Sequence, residues 1–428
     1  MTNGKISLIG FGVSNKAVYE RLRGYGYPFL VRSPREIRVP DGVELTFGDS
    51  YLDTREDIVF RSPSCMPYKI KGKGYITSEV AFALSHISCK KIGVTGSDGK
   101  TTVSSLISKM LETEGKNAYL CGNCGYPVIN YMGKVKKSDL LVCELSSFQL
   151  IDLVPALDCS VITNLTPNHL DVHFSYEEYA SAKSNILKNA SRGVINFDCT
   201  ESRRLSTCLK NGAELTLASL SYESIKGINN ADLVYVRDGI IYRNGERIMP
   251  ASHVRLRGEF NLLNVCLAVG AVYGYVSLEN IKKAVTEFYG VSHRMEKIYE
   301  KDGIVFYDSS IDSTPSRTLA TLSAFHKEKT IVILGGYDKN LSYDCLGDGM
   351  ENIKYAVICG ANSEKIHSAI RGRCACALCD SFTESVKIAY RMAEKGDSVV
   401  LSPASASYDA FENYKEKSKK YVETVRGL

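Results

Sequence analysis

Long apolar runs are missing from this chain. A membrane-spanning helix needs about 18 consecutive apolar residues, and no such stretch occurs in its 428 residues. The opening MTNGKISLIGFG lacks a charged segment followed by a long apolar one, so no secretory signal is expected and the chain reads as cytosolic. Blocks of like charge are also missing, and the net charge is only +5. That balance calls for no nucleic-acid partner, although it suits an anionic ligand. Internal repeats and low-complexity segments are absent too. The 14 cysteines include the runs CGNC at 121–124 and CACALC at 374–379, but neither has a second ligand pair at zinc-finger spacing. Reduced thiols are the default in a cytosolic chain of this size; metal or redox use of either run stays open beside simple packing.

What is present is an apolar content of 44%, enough for real cores, and a length that fits about three domains at roughly 150 residues each. ISLIGFGVSNKAVYERLRGYG reads as a strand, a glycine turn and a helix of Rossmann type. YPFLVRS and DIVFRSPS follow as strands. KKIGVTGSDGKTTVSSLISKMLETEG restarts the strand–loop–helix pattern, and SDLLVCE and CSVITNL add strands. Residues 231–257 contain ADLVYVRDGIIYRNGERI, a hairpin-like antiparallel insert, and FNLLNVCLAVGAVYGY reads as a helix. After SHRME at 292–296 a third series begins, with strands in GIVFYDSS, TIVILGG, YAVICG and SVVLSPA. Strands alternating with helices predict parallel sheets. The expectation is an α/β chain of three domains: Rossmann-like over 1–90, a P-loop domain with a parallel sheet over 91–292, and Rossmann-like again over 293–428.

The chemistry concentrates first in GSDGKTT, residues 96–102. A lysine after a glycine-rich turn pairs with phosphates, backbone N–H groups and a helix N-terminus add donors, and the next hydroxyl can hold Mg²⁺. Gly96, Gly99, Lys100, Thr101 and Thr102 fill those places between strand KIGVT and the following helix. The general P-loop pattern has its first glycine where this chain has Val94, with glycines at 93, 96 and 99 instead. A phosphate-bound Mg²⁺ calls for a carboxylate, and Glu144 ends strand LLVCE, at the end of a parallel sheet where ligands lie. In YEEYASAKSNIL, Tyr176, Tyr179, Ala180, Lys183, Ile186 and Leu187 share helical spacing. Lys183 therefore falls on the apolar stripe, a costly place unless it is paired, modified or snorkelling. His169 and His173 are four apart, but the zinc-protease pattern HExxH is absent.

With GSDGKTT, ELSSFQL and NLTPNHLDVH in this order, followed by YASAKSNIL, GEFNLLN, SHRME, GGYDK and LSPASASYDAF, the chain resembles the Mur ligase family over nearly its whole length. ELSSFQL and LSPASAS point to the D-glutamate-adding branch. The resemblance implies ATP-dependent phosphorylation of a carboxylate and attack of an amine on the acyl phosphate. It implies UDP-N-acetylmuramoyl-L-alanine and D-glutamate as substrates in peptidoglycan precursor synthesis. ATP and Mg²⁺ (two ions) are the implied cofactors, and a monomer the implied state. By the same resemblance Lys100, His169, Lys183 and Lys339 are catalytic, and Lys183 is carbamylated into an anionic metal ligand. Thr101, Glu144, His169 and Lys183 hold metal, with His173 structural. ATP is bound by Gly96, Gly99, Lys100, Thr101, Thr102, Asn264, Arg294 and Asp308. Asn123 lies near the uridine substrate and the reacting carboxylate.

A UDP-sugar would be gripped at Ser14 in the first turn and at Arg32 and Ser33 at the end of the second strand. The departure lies in YDSSIDSTPSR, where many relatives have NDSKATN: Asp308 takes the Asn position, Ser309 the Asp position and Ile311 the Lys position. Lys339, Ser313, Ser407 and Tyr414 are then the candidates to hold the acceptor's carboxylates. Another acceptor amino acid, a sister ligase such as a folate polyglutamate ligase, and a nucleotide-dependent switch without amide synthesis remain the alternatives.

Overall fold

Three sheets account for the alternating pattern. The computed structural model describes residues 4–168, 172–325, 329–339 and 341–428. The first sheet has β1 (Ile6–Ile9), β2 (Phe29–Ser33), β3 (Glu44–Phe47), β4 (Ile58–Arg61) and β5 (Tyr75–Ser78), all parallel, in the order β3-β2-β1-β4-β5. The second has β6 (Lys90–Thr95), β7 (Ala118–Gly122), β8 (Leu140–Glu144), β9 (Cys159–Ile162), β10 (Arg192–Asn196), β11 (Glu214–Ser219), β12 (Asp232–Arg237), β13 (Ile240–Arg243) and β14 (Glu246–Pro250). Their order is β14-β13-β12-β11-β10-β9-β6-β8-β7. Only the pairs β12–β13 and β13–β14 are antiparallel, which is the hairpin-like insert. The third sheet runs β15-β16-β20-β17-β18-β19, from β15 (Glu296–Lys301), β16 (Ile304–Asp308), β17 (Thr330–Leu334), β18 (Ile353–Cys359), β19 (Cys376–Cys379) and β20 (Ser398–Leu401). Its one antiparallel pair is β15–β16.

The central strands are buried along their whole length, as in Leu140–Glu144 and Thr330–Leu334. Helices cover both faces of a parallel sheet, so its strands read as continuous apolar runs. The strands missing from the sequence reading, such as β3 and β19, are four residues long and half-exposed. Among the described residues no helix is long and apolar enough to cross a membrane.

The chain divides into two compact units, Met1–Val254 with Phe260–Phe288 and Arg255–Glu259 with Tyr289–Leu428. The first unit holds the first two sheets. Two buried side chains at the ends of β4 and β5 tie them together. Arg61, fully buried at the end of β4, donates through Nε to Asp152 at 2.7 Å and through its terminal nitrogens to the carbonyls of Phe148 and Cys65. Glu79 opens the helix Glu79–His86, and its Oε1 accepts from the backbone N–H of Ile129 at 2.7 Å.

Burial pushes the Glu79 carboxyl up from 4.5 to about 7, against the opposing pull of the Ile129 and Val128 amides. A carboxyl whose pKa is raised by folding stabilises the fold fully below its unfolded value, and that contribution is lost as pH rises through its folded value. Glu79→Gln keeps the acceptor oxygen and removes the titration. Wild-type stability relative to this variant should therefore fall as pH rises from 4.5 to about 7, measured by denaturant unfolding across that range. A difference that does not change with pH would show that Glu79 titrates as it does in water.

Candidate active site

β6 lies between β8 and β9; the connection leaving β6 runs to β7 on one side and that leaving β8 runs to β9 on the other, the kind of reversal beyond whose carboxyl ends ligands bind. The loop there runs from Gly96 to Gly99 into the 14-residue helix Lys100–Thr113. Both glycines are required by space. At Gly96, with φ of 151°, a Cβ would come within 1.9 Å of Thr163 Oγ1; at Gly99, with φ of 77°, within 2.5 Å of Asn264 Oδ1. Asn264, expected at adenine, thus packs against the loop, and its amide donates to Asn261. The loop is pinned from the next strand's exit: Asp98 N donates to Asn164 Oδ1 at 2.8 Å and Ser97 N to Asn164 O at 2.9 Å. The Lys100 ammonium bonds the carbonyls of Gly96 and Ser97 at 2.9 and 2.8 Å. No side chain caps the helix and its first turn carries no acid, so its positive end faces the loop uncompensated and suits a phosphate. Thr101 is half-buried and Thr102 buried in that first turn.

Glu144 ends β8 almost fully buried. Asn123 is clamped to it twice, its N–H donating to the Glu144 carbonyl at 2.8 Å and its amide to Oε1 at 2.7 Å. Oε2 is buried with no hydrogen-bond partner. A carboxylate oxygen in that state costs several kcal/mol unless something cationic meets it, and a hard divalent ion with oxygen ligands is suited to do so. The motif ELSSFQL then folds for local reasons. Ser146 and Gln149 form a reciprocal capping box that turns the chain sharply after Glu144.

Lys183 lies on the helix Tyr176–Ser184 and is 2% exposed. Its amine donates to Gly96 O at 2.7 Å and Thr95 Oγ1 at 3.3 Å, both neutral oxygens, and sits over the Tyr179 ring. Burial first, and the charge of Lys100 second, hold its pKa well below the usual lysine value, partly offset by Glu144 and Asp98. This pocket explains a lysine on the apolar stripe. His173 is buried between Ser147 Oγ at 3.0 Å and Glu178 Oε2 at 3.1 Å, stacked on Phe148, which is a structural role. His169 lies outside the described residues.

The first sheet treats its expected residues differently. Ser14 is half-buried in the first turn of the helix Val13–Leu22, and Ser33 Oγ accepts from the Arg35 N–H. Arg32, expected on the UDP-sugar, is buried in a two-point ion pair with Glu56, at 2.8 and 3.2 Å. Its guanidinium is used to offset a buried acid. Asn15, which the sequence reading passed over, donates to the carbonyls of Ile9, Gly10 and Phe60 and so shapes the end of β1.

In the second unit, Asp308, expected on ATP, is fully buried with both oxygens engaged. Oδ1 accepts from Ser310 N at 2.8 Å, and Oδ2 from Ser418 Oγ at 2.5 Å, with His293 Nδ1 at 3.0 Å. The carboxylate holds the His293 ring in place. The His293 ring meets Tyr414 edge-on at 5.5 Å, and Arg294 stands beside it half-buried. His293, Glu296 and Asp308 bring ligand atoms within 4.8 Å of one another, a grouping the sequence did not suggest. Lys339 is exposed, Ser313 half-buried, and the Ser407 hydroxyl buried without a hydrogen-bond partner. None of the 14 cysteines is in a disulfide. Those of CGNC and CACALC lie in and beside β7 and β19.

Residues 94–272 match the family model described as Mur ligase middle domain, and 293–405 that described as Mur ligase, glutamate ligase domain. The chain is 36% identical to UDP-N-acetylmuramoylalanine--D-glutamate ligase of Acetivibrio thermocellus, over 100% of this chain and 97% of that one. It is 34% identical to the ligase of the same name from Clostridium tetani, with the same coverage. Among solved structures it is similar to UDP-N-acetylmuramate-alanine ligase MurC of Thermotoga maritima, with a TM-score of 0.63 at 16% identity over 99% of each chain. It is also similar to MurF ligase of Thermotoga maritima in complex with ADP, with a TM-score of 0.60 at 14% identity over 99% and 95%. At those identities the structural likeness speaks for the fold.

Glu144→Gln tests the metal reading. The variant keeps an oxygen for Asn123 and removes a buried charge, so its unfolding midpoint should stay level or rise. Mg²⁺-dependent nucleotide turnover should fall on the order of a hundredfold or more, matching the several kcal/mol a metal's charge supplies. Turnover within a few-fold of wild type would remove Glu144 from the metal site.

Proposed function

The chain belongs to the Mur ligase family, and from that premise we propose that it joins D-glutamate to UDP-N-acetylmuramoyl-L-alanine using ATP, a step of peptidoglycan precursor synthesis. The observation that carries the acceptor is the full-length likeness to ligases of that name. A carboxylate is a poor acyl donor because oxide leaves badly. Phosphorylation by ATP gives it a leaving group, the amine of the incoming amino acid attacks the acyl phosphate, and phosphate departs from a tetrahedral intermediate.

The residues divide this work by their chemistry. The loop Gly96–Gly99, Lys100 and the helix N-terminus hold the ATP phosphates where negative charge builds up. Asn123, fixed on Glu144, lies next to the carboxylate to be activated, and Ser14 and Ser33 line the turn for the UDP moiety. Glu144 and the Thr101 hydroxyl hold Mg²⁺, which when bound screens the phosphate and carboxylate charges that must approach. Lys183, as a carbamate, would supply a second anionic ligand, and His169 is the further ligand the family resemblance implies. Lys339, Ser313, Ser407 and Tyr414 hold the acceptor, and Arg294 contacts ATP. A nucleotide-sugar substrate and an ATP requirement fit a reaction in the cytosol.

Phosphate release from ATP with UDP-N-acetylmuramoyl-L-alanine, in parallel with D-glutamate, L-glutamate, L-lysine, meso-diaminopimelate or no amino acid, tests this reading. D-glutamate alone should stimulate release and give a product heavier by one glutamyl residue. Stimulation by another amino acid moves the specificity and keeps the reaction. Equal release in every tube, without a new amide, replaces the ligase by a nucleotide switch.

A further inference from the structure

The second unit carries a buried carboxylate to which the proposed reaction gives no task. Asp312 lies in the loop joining β16 to the helix Pro315–Ser323 and is 4% exposed. Its Oδ2 accepts from Thr321 Oγ1 at 2.7 Å and from Ser402 Oγ at 2.8 Å. Thr321 belongs to that helix, and Ser402 follows β20. The cage extends outward from these two. Ser309 Oγ lies 3.2 Å from Thr321 Oγ1 and accepts from the Met295 N–H, and Thr318 Oγ1 lies 2.8 Å from Ser402 Oγ.

An acid in this place is not there for stability. A buried carboxylate loses its hydration, and hydroxyl hydrogen bonds repay that only in part. Burial raises the Asp312 pKa against the opposing effect of those hydroxyls and, more weakly, of Arg294. An apolar side chain of similar size would fill the space at less cost. What the carboxylate adds is direction, because it fixes hydroxyls from two further elements at one point. One of the loops so joined contains Ser313. The other runs on from Ser402 to Ser407, whose hydroxyl is buried without a partner. Both serines are candidate acceptor-binding groups.

We propose that Asp312 is a positioning residue for the amino-acid acceptor, locking the loop of Ser313 to the loop of Ser407 through Thr321 and Ser402. It acts without touching the acceptor. The inference rests on the assignment of those loops to the amino acid in the proposed reaction.

Steady-state kinetics of the full-length enzyme, with each of the three substrates varied in turn, tests it. Asp312→Ala should raise KM for the acceptor about tenfold or more, the scale of a small misplacement of a binding group, and leave KM for ATP and for the UDP-substrate within about twofold. Asp312→Asn keeps one acceptor oxygen and should recover most of the loss. Ser402→Ala removes one hydrogen bond and leaves the charge, and it should shift the same KM in the same direction if Asp312→Ala fails to fold. An unchanged acceptor KM in folded variants, or three KM values rising together, overturns the proposal and leaves the ligase reading intact. The wild-type control separates the two. If it ligates a different amino acid, the same split is read with that one; if it makes no amide with any, the ligase reading falls and this inference with it.

Discussion

The amines of Lys183 and Lys100 both donate to the carbonyl oxygen of Gly96, at 2.7 and 2.9 Å, and the first unit's site is arranged around that convergence. Two cations sharing one neutral oxygen repel each other, the more so because Lys183 is sealed from water. Burial and Lys100 together press Lys183 toward its neutral amine. A buried carboxylate, Glu144, stands close enough to oppose that pressure, yet its Oε2 has no hydrogen-bond partner. Excess positive charge at the loop and an unmet anionic oxygen beside it are what a metal–phosphate group would balance. The protein holds its polar groups in place before the reaction begins, so they need little reorganisation when charge moves.

The glycines follow from the same constraint. To bring Thr163 and Asn264 against the loop Gly96–Gly99, the chain must pass where no Cβ fits at Gly96 or Gly99. That is why Val94 in place of the usual first glycine is tolerated. Residue 94 lies inside β6, paired with Glu144 of β8, and the turn proper begins at Gly96.

Legibility in the sequence depended on how local each signal is. The glycine turn before the helix at Lys100, the strand-end place of Glu144 and the stripe position of Lys183 are set by spacing within a few residues, and the structure has each on that element. The α/β class and the antiparallel insert were legible for the same reason. Arg61 and Glu79 were not, because each becomes meaningful only when a partner far along the chain arrives; Asp152 is 91 residues from Arg61. The internal partners of Arg32 and Asp308 were not legible, because a charged strand-end residue looks the same in sequence whether or not a distant side chain meets it. Glu56 lies 24 residues from Arg32, and Ser418 lies 110 residues from Asp308. Asp312 reads only as a loop acid until its hydroxyl cage is seen.

In the proposed reaction phosphate is transferred to a carboxylate before any amide forms, and oxygen tracing follows that transfer. UDP-N-acetylmuramoyl-L-alanine labelled with ¹⁸O in its alanyl carboxylate is turned over with ATP and D-glutamate, and the released phosphate is weighed by mass spectrometry. One ¹⁸O atom per phosphate is the predicted result, because the oxygen that received the phosphoryl group leaves with it. Unlabelled phosphate alongside amide product would contradict an acyl-phosphate route, and the division of labour among the loop, Glu144 and Lys183 would fall with it.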